Sequence, residues 1–275
     1  MSNILEVHMA NPDLIEIFTD TRMRYMTNPV LVSACSSSIE KQVFYKEGSS
    51  FDFDKNMFED KAEVVVSKKR SFEAAEPYAK KGMKTCVLNF ANAIHTGGGV
   101  FRGSGAQEES LCRTSTLFAP INVPEMHKVF YDPHFRLDDT YANDDAIFTP
   151  GVVVFKTDEY KPKLRPEDEW FSVDVITCAA PCLGWECKDI SDENLFKLHV
   201  SRARQILSIA AENGVEALIL GAFGCGAFRN PPSVVARAYK KVLPEFSHAF
   251  KTIEFAVFCV PREEENFTEF SSVLG

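Results

Sequence analysis

Residues 85–110 read TCVLNFANAIHTGGGVFRGSGAQEES, and this stretch decides the fold. Residues 86–90 form an apolar run with one polar member, Asn89, which is typical of a strand that is buried on both faces. The run leads into a glycine-rich loop at 92–105, and the pattern after it predicts a helix over about 106–118. A strand, a glycine-rich loop and a helix in this order are the unit of an α/β sheet that holds its ligand where its strands end.

The same unit recurs nearer the end of the chain. Residues 215–220 are apolar apart from Glu216, residues 221–230 (GAFGCGAFRN) form a second glycine-rich loop, and residues 231–242 predict a helix. Further strands are predicted at 63–67, 147–155, 173–177 and 252–260, and further helices at 71–80 and 191–213. This alternation predicts an α/β fold, a three-layer α/β/α sandwich. Because both glycine-rich loops follow strands, we expect them to open on the same edge of the sheet.

The first 62 residues carry a different pattern. Apolar residues at helical spacing predict helices at 12–21 and 30–45. We therefore interpret this segment as a helical N-terminal extension that packs on a core of 63–275, within one structural unit. Three prolines and two Asp pairs predict a loop over 119–145, and the acidic run at 263–265 is predicted to be solvated.

The composition limits the classes of function. The chain has 275 residues, a formal net charge of −9 and a pI near 5.3, so generic binding to nucleic acid or to an anionic membrane is not expected. No apolar run reaches the ~18 residues of a membrane span, and the first residues lack the pattern of a secretory signal. Eight cysteines are too few for a disulfide scaffold and indicate reduced thiols in the cytoplasm or the nucleus. We expect a monomer.

The sequence carries no motif for a metal or an organic cofactor. Cys178, Cys182 and Cys187 lack the paired spacing of a zinc site, and the histidines show no HExxH arrangement, so we expect neither metal nor cofactor. The second glycine-rich loop has the spacing GxxGxG and not GxGxxG, which argues against a dinucleotide site of the Rossmann type.

The two glycine-rich loops have the chemistry of an anion-binding site. The consecutive glycines at 97–99 let backbone N–H groups approach a ligand, because no Cβ stands between them. The amides of the second loop suit a diphosphate, and an aromatic side chain there can cover a sugar or a purine. Phe228 is the candidate for that aromatic contact.

Two adjacent acids follow the first loop. Ser104 and Gln107 have capping-box spacing, which predicts that the helix begins at Gly105. Glu108 and Glu109 then lie in its first turns and face whatever the loop holds. They could merely complement the helix dipole. Two acids beside an anion-binding loop are nevertheless costly, which favours a chemical role for them.

These motifs resemble those of a known family. NFAN at 89–92, followed by the glycines at 97–99, is similar to the first ligand loop of macrodomains, the α/β/α modules that bind ADP-ribose. The three glycines, seven intervening residues and QEE at 107–109 resemble the signature of poly(ADP-ribose) glycohydrolases. The resemblance covers roughly residues 15–260. Its similarity to the microbial-type branch rests on flanking segments at 19–21, 38–42 and 111–117.

The resemblance implies a macrodomain-like sandwich with a mixed sheet, and hydrolysis of ribose–ribose O-glycosidic bonds with release of ADP-ribose. By position, Glu109 is the implied acid/base residue, Glu108 holds ribose hydroxyls and Asn92 binds the distal ribose. The other implied ADP-ribose contacts are Gly97, Gly98, Gly99, Val100, Gln107, Gly221, Phe223, Gly224, Cys225, Gly226, Ala227 and Phe228. Many relatives have Pro where this chain has Thr96, a difference that removes no chemical group.

The spacing of the two acids fits this chemistry in one way. Glycoside cleavage passes through an oxocarbenium-like state, and the leaving oxygen needs a proton. Adjacent helical residues diverge by about 100°, so Glu108 and Glu109 cannot flank one bond. We therefore expect one carboxyl to act first as acid and then as base, while its neighbour positions sugar hydroxyls.

Two other functions are compatible with the pocket motifs. The pocket could bind ADP-ribose without cleaving it, although a binding module has no need of the second acid. It could instead act on mono-ADP-ribose that is attached to protein or nucleic acid. The expected partners are ADP-ribose polymer or ADP-ribosylated protein, with ADP-ribose as the product.

Overall fold

A seven-stranded mixed sheet forms the centre of the structure, a computed structural model that describes residues 11–137, 141–184 and 190–275. Within these residues the strands are β1 (Val43–Tyr45), β2 (Glu63–Ser67), β3 (Thr85–Ala91), β4 (Ala146–Val154), β5 (Phe171–Ala179), β6 (Ala217–Leu220) and β7 (Thr252–Ala256). They lie in the order β1-β4-β5-β3-β6-β7-β2. β4 is antiparallel to both of its neighbours, and the other neighbours are parallel. The predicted mixed sheet is confirmed.

Helices cover both faces of this sheet. They are α1 (Pro12–Thr27), α2 (Pro29–Lys41), α3 (Ser71–Lys80), α4 (Gln107–Thr114), α5 (Phe118–Ile121), α6 (Pro124–Met126), α7 (Asp132–Leu137), α8 (Asp192–Glu212), α9 (Pro232–Val242) and α10 (Glu265–Leu274). Side chains alternate along β3: Cys86 and Leu88 belong to the core beneath α8 and α9, and Val87 belongs to the core beneath α1 to α5. The predicted three-layer sandwich is therefore confirmed. Within the described ranges, no helix is both long and apolar enough to cross a membrane.

The N-terminal segment differs from its prediction at two helix ends. α1 continues to Thr27, beyond the predicted 12–21. The prediction of a helix over 30–45 was wrong at its end, because α2 stops at Lys41 and Val43–Tyr45 pairs with β4 as an edge strand. A β-branched residue and two aromatics suit that half-buried strand. Residues 11–62 thus supply the strand β1 to the sheet besides α1 and α2.

The prediction of a loop over 119–145 was wrong for residues 119–137, which are largely helical, whereas residues 141–145 are irregular as predicted. This stretch contains α5, α6, α7 and a π-helical turn at His127–Tyr131. Pro124 occupies the first turn of α6, where its missing N–H costs nothing. Phe130 and Tyr131 are buried against Ile147 of β4, so tertiary packing makes this proline-containing segment helical. The acidic run at 263–265 is exposed, as predicted, but its last residue, Glu265, begins α10, a helix the sequence pattern did not indicate.

α1 supports the first glycine-rich loop from behind. Phe18 packs edge-on against Phe101 and Phe118, with ring centroids 5.2 and 5.1 Å away. A Cβ placed on Gly97 would lie 2.9 Å from the Phe118 ring, so these aromatics back directly onto the loop. Thr21 Oγ1 also donates to the carbonyl oxygen of Arg113 at the end of α4. The N-terminal helix therefore holds both the loop and the helix that follows it.

Candidate active site

The two glycine-rich loops lie at one edge of the sheet. β3 and β6 are adjacent and parallel, so the loops that follow them start on the same side. A Cβ placed on Gly221 would lie 2.9 Å from Cζ of Phe90, which shows how closely the second loop begins against the end of β3. The prediction of a shared edge is confirmed.

The first loop brings backbone against the carboxyl group of Glu109. Gly97 and Gly98 have positive φ values of 69° and 60°, a conformation that glycine adopts without strain. This turn directs the N–H of Gly99 to Oε1 of Glu109 at 2.7 Å. Glu109 is only 7% exposed, and its Oε2 is buried with no hydrogen-bond partner among the described residues. One oxygen is thus anchored, and the hydrogen-bonding capacity of the other is left unused by the described residues.

Glu108 is held by the end of β3. Its Oε2 accepts the backbone N–H of Asn92 at 2.8 Å, and its Oε1 accepts Nδ2 of Asn89 at 3.4 Å. Burial, which withdraws the carboxyl from water, raises the pKa of Glu108 well above its usual 4.5, although the Asn92 N–H opposes this. The charge of Glu109 adds to the increase. The protonated form of Glu108 is therefore favoured, and that form can donate a hydrogen bond.

Asn92 also shapes the first loop. Its Oδ1 accepts the backbone N–H groups of Ile94 and His95, both at 2.9 Å, in the manner of an Asx-turn. Its Nδ2 has no acceptor among residues 11–137, 141–184 and 190–275. The side chain can therefore donate to a sugar hydroxyl, while its oxygen remains committed to the loop.

The helix that carries both acids begins two residues later than expected. α4 starts at Gln107, after Ala106, and its N-cap residue makes no capping hydrogen bond through its side chain. The predicted capping box of Ser104 and Gln107, with a start at Gly105, was therefore wrong. The backbone oxygen of Ser104 instead accepts Nη1 of Arg113 at 2.6 Å.

Gln107 joins α4 to the sheet. Its Oε1 accepts the N–H of Phe90 at 2.9 Å, and its Nε2 donates to the carbonyl of Leu88 at 2.7 Å and to Oγ of Ser71 at 3.0 Å. Both amide hydrogens are used within the protein. These hydrogen bonds position α4, and the predicted contact of Gln107 with a ligand stays a prediction.

The second loop presents a row of backbone donors. Within the described part of the chain, the N–H groups of Gly226, Ala227 and Phe228 have no hydrogen-bond acceptor. Gly226 and Ala227 are exposed, and Phe228 and Cys225 are half-buried. Successive amides without acceptors are groups that can bind an anion.

The other residues predicted to contact ADP-ribose lie deeper. The side chain of Phe223 is fully buried in one core and that of Val100 in the other. The backbone of these two residues is therefore the part nearer the edge of the sheet. Gly224 is packed so closely that an added Cβ would lie 2.7 Å from Cβ of Ala180. These three residues are placed to shape the loops.

Two buried polar residues behind the second loop were not predicted. Asn230 and His199 are each 2% exposed, and their side chains meet at 2.8 Å. Burial lowers the pKa of His199 to about 4, the hydrogen bond to Asn230 opposing the change. The only sequence signal is the position of Asn230 at the end of the loop, before two prolines.

The low pKa of His199 leads to an expected pH dependence of stability. At a pH between 6.5, the usual pKa, and about 4, His199 is protonated in the unfolded chain and neutral in the folded chain. This contribution is complete above 6.5 and is lost as the pH falls, by up to roughly 3 kcal/mol. Denaturant unfolding at several pH values should show a steeper acid loss for the wild type than for His199→Gln, which does not titrate. Parallel curves would contradict the assignment.

An exposed aromatic ring at the same edge was also missed. Phe258 follows β7 and is 46% exposed, and the guanidinium of Arg70 lies 3.9 Å from its ring centroid. The sequence pattern predicted that the last strand continues to residue 260, but β7 ends at Ala256. Phe258 therefore lies beyond the strand, and its exposed ring was missed. The pair offers a flat surface beside the loops on which a base can stack.

No group of three or more His, Cys, Asp and Glu side chains within the described ranges is arranged to hold a metal ion. Cys178 is buried in the core. Cys187, one of the three cysteines considered above, lies outside the described residues.

The arrangement matches a known catalytic domain. The family model for the catalytic domain of microbial-type PARG, poly(ADP-ribose) glycohydrolase, matches residues 22–157. The chain belongs to the microbial-type PARG family.

Solved PARG structures share the fold over nearly the whole chain. PARG from Thermomonospora curvata is 26% identical, with a TM-score of 0.82 over 95% of this chain and 99% of that one. The same protein bound to the inhibitor ADP-HPD is also 26% identical over these shares of the two chains and has a TM-score of 0.83. PARG from Deinococcus radiodurans in complex with ADP-ribose is 27% identical, with a TM-score of 0.75 over 87% of this chain and 96% of that one. No curated protein sequence matches the chain.

Thr96 is where the first loop departs from the pattern of many PARG relatives. Its Oγ1 lies 3.5 Å from Nε2 of His127, which in turn lies 3.1 Å from Oδ1 of Asn122. The hydroxyl therefore links the loop to the π-helical turn. Proline has no hydroxyl group and cannot make this contact with His127.

Proposed function

We propose that the chain hydrolyses ribose–ribose O-glycosidic bonds in poly(ADP-ribose) and releases ADP-ribose. The observation that carries the proposal is the carboxyl of Glu109, buried at the edge shared by both glycine-rich loops, with one oxygen anchored by Gly99 and the other unpartnered within the described residues. A carboxyl withdrawn from water and aimed at a ligand loop suits proton transfer.

In this proposal Glu109 serves both steps of the reaction. As the bond to the leaving ribose breaks, Glu109 gives its proton to the departing oxygen. The resulting carboxylate then takes a proton from the attacking water. Glu108, which favours its protonated form, donates to a ribose hydroxyl and keeps the sugar in place.

The two loops are proposed to divide the binding of ADP-ribose. The unpaired amides of Gly226, Ala227 and Phe228 suit the diphosphate. Asn92 donates to the distal ribose, and the narrow turn of the three glycines lets that sugar approach Glu109. The adenine is proposed to stack near Phe258. Local dipoles thus hold an anion although the net charge of the chain is −9.

The test is incubation with poly-ADP-ribosylated and mono-ADP-ribosylated protein, with the products separated by mass. We expect free ADP-ribose from the polymer. Release only from mono-ADP-ribosylated protein would assign the chain to the mono-ADP-ribosyl hydrolases. Binding of ADP-ribose without release from either substrate would make the chain a binding module.

Replacement of Phe228 by Ala is expected to weaken ADP-ribose binding. The half-buried ring borders the unpaired amides, and loss of an aromatic contact of this kind costs about 1–3 kcal/mol, or roughly 5- to 150-fold in Kd. Calorimetric titration with ADP-ribose measures the change. An unchanged Kd would mean that the ring contributes to packing alone.

The monomeric state and the cytoplasmic location are part of the same proposal. Cys86, Cys112 and Cys178 are buried free thiols, and burial raises the pKa of each, which suits a reducing compartment. Light scattering checks the monomeric state, and fractionation of the source cells checks the location.

A further inference from the structure

Asn230 ties the second loop to two other parts of the chain. Its Nδ2 donates to the carbonyl oxygen of Gly224 at 3.0 Å and to that of Pro181 at 2.7 Å. Its Oδ1 lies 2.8 Å from Nε2 of His199 on α8. One buried amide therefore joins the second loop, the segment that follows β5, and α8.

These contacts fix the orientation of both side chains. Nδ2 of Asn230 also donates to the carbonyl oxygen of Phe228 at 3.4 Å, so all three of its partners are acceptors. Oδ1 of Asn230 must therefore accept, and Nε2 of His199 must carry the proton. The pKa of His199 is lowered to about 4, so the ring is neutral at ordinary pH and keeps that tautomer. The amide of Asn230 consequently cannot rotate without losing every hydrogen bond it makes.

The second loop has a bend that requires such a tie. Gly224 has a φ of +79°, and Arg229 has a φ of +58°, a left-handed conformation that is unfavourable for a residue other than glycine. The N–H of Asn230 also donates to Gly224 at 3.0 Å, which closes residues 224–230 into a ring. Leu183, beyond β5, donates its N–H to Phe228 at 2.9 Å. Residues 226–228, whose amides have no acceptor among the described residues, are part of this closed ring.

We propose that Asn230, with His199 behind it, is a positioning pair that sets the amides of 226–228 to receive the diphosphate of ADP-ribose. The inference rests on the proposed function and adds how its anion site is kept in shape. Neither side chain touches a reacting atom, since Glu109 belongs to the other loop. The pair therefore acts on ligand affinity, and we expect its removal to change Kd and KM more than kcat.

The test compares Asn230→Ala, His199→Leu and His199→Gln. Titration with ADP-ribose measures Kd, and initial rates on poly(ADP-ribose) measure KM and kcat. For Asn230→Ala we expect Kd and KM to rise by about tenfold or more, with kcat within about threefold of the wild type. His199→Leu, which cannot donate to Asn230, should follow it. His199→Gln, which can donate, should recover most of the affinity.

Asn213→Ala is the matched control. Its Nδ2 donates to Tyr45 Oη at 3.0 Å and to the carbonyl of Ile209 at 2.8 Å, at the end of α8 away from the loops. We expect it to lower stability without changing Kd. A Kd within about twofold of the wild type for both Asn230→Ala and His199→Leu would overturn the inference. If Asn230→Ala does not fold, the two His199 variants decide, because equal affinities for Leu and Gln also overturn it. A wild type that binds no ADP-ribose would contradict the proposed function itself, and the inference with it.

Discussion

The Glu109→Gln variant is expected to lose about 10²- to 10⁴-fold in kcat while it still binds ADP-ribose. Oε1 of Glu109 accepts the N–H of Gly99 at 2.7 Å, and the amide oxygen of Gln can keep that bond. Oε2 is buried without a partner among the described residues, and there the variant places an NH₂ group, which cannot act as an acid or a base. The substitution thus removes proton transfer and little shape. Initial rates of ADP-ribose release and calorimetric Kd measure the two effects separately.

Glu193→Gln is the control for this substitution. Glu193 is exposed on α8 and pairs with Lys197 at 2.7 Å, so the same Glu-to-Gln change there does not touch the loops. We expect kcat to stay near the wild-type value. Release of ADP-ribose by Glu109→Gln at the wild-type rate would remove Glu109 from the acid/base role. Loss of binding together with turnover would assign Glu109 to ligand affinity.

The central strands could be predicted from the sequence because they are buried on both faces. β3 and β6 are largely apolar runs, and β5 places Val173 and Val175 in one core and Ile176 in the other. Strands with apolar side chains on both faces are typical of the middle of a covered sheet. The shared edge of the two loops followed from the parallel order of these strands. The edge strand β1 could not be found this way, since its three residues are too few to set a period.

Errors arose where tertiary contacts replace local ones. Ser104 and Gln107 have the spacing of a capping box, but the amide of Gln107 makes its hydrogen bonds to β3 and to Ser71 instead of to Ser104. The stretch over 119–145 contains turn residues, yet Phe130 and Tyr131 pack against Ile147 of β4. Most of 119–137 is helical as a result. Local propensity is a weak prior against such packing.

The site could be predicted where its residues are close together in the sequence, and not where they lie far apart. Glu108, Glu109 and the three glycines are close in sequence, and the structure brings their atoms together. Asn230 and His199 lie on different elements, and no pattern relates a helical histidine to an asparagine at the end of a loop. Only the folded arrangement makes them partners. The same holds for Phe258 and Arg70, which meet because β7 and β2 are neighbours.

The Gly98→Ala variant is expected to lose about 100-fold in kcat/KM although it folds. Gly98 has a φ of +60°, and an added Cβ would overlap Oε1 of Glu109 and lie 3.1 Å from Oε2 of Glu108. The carboxylate end is the part that can move, so the methyl group displaces the group that transfers the proton. A displacement of about 1 Å at a reacting group costs on the order of 10²-fold in rate. Rates of ADP-ribose release measure the loss.

Gly48→Ala separates this effect from backbone strain. Gly48 has a φ of +77°, and an added Cβ there meets nothing within 4 Å. Both variants should lose about 1 kcal/mol or more in the free energy of unfolding, because both force alanine into a left-handed conformation. Only Gly98→Ala should lose activity. Since Gly98→Ala acts through the carboxyl of Glu109, the double variant with Glu109→Gln should be no slower than Glu109→Gln alone. Additive losses would mean that the methyl group harms the ligand site by a route other than Glu109.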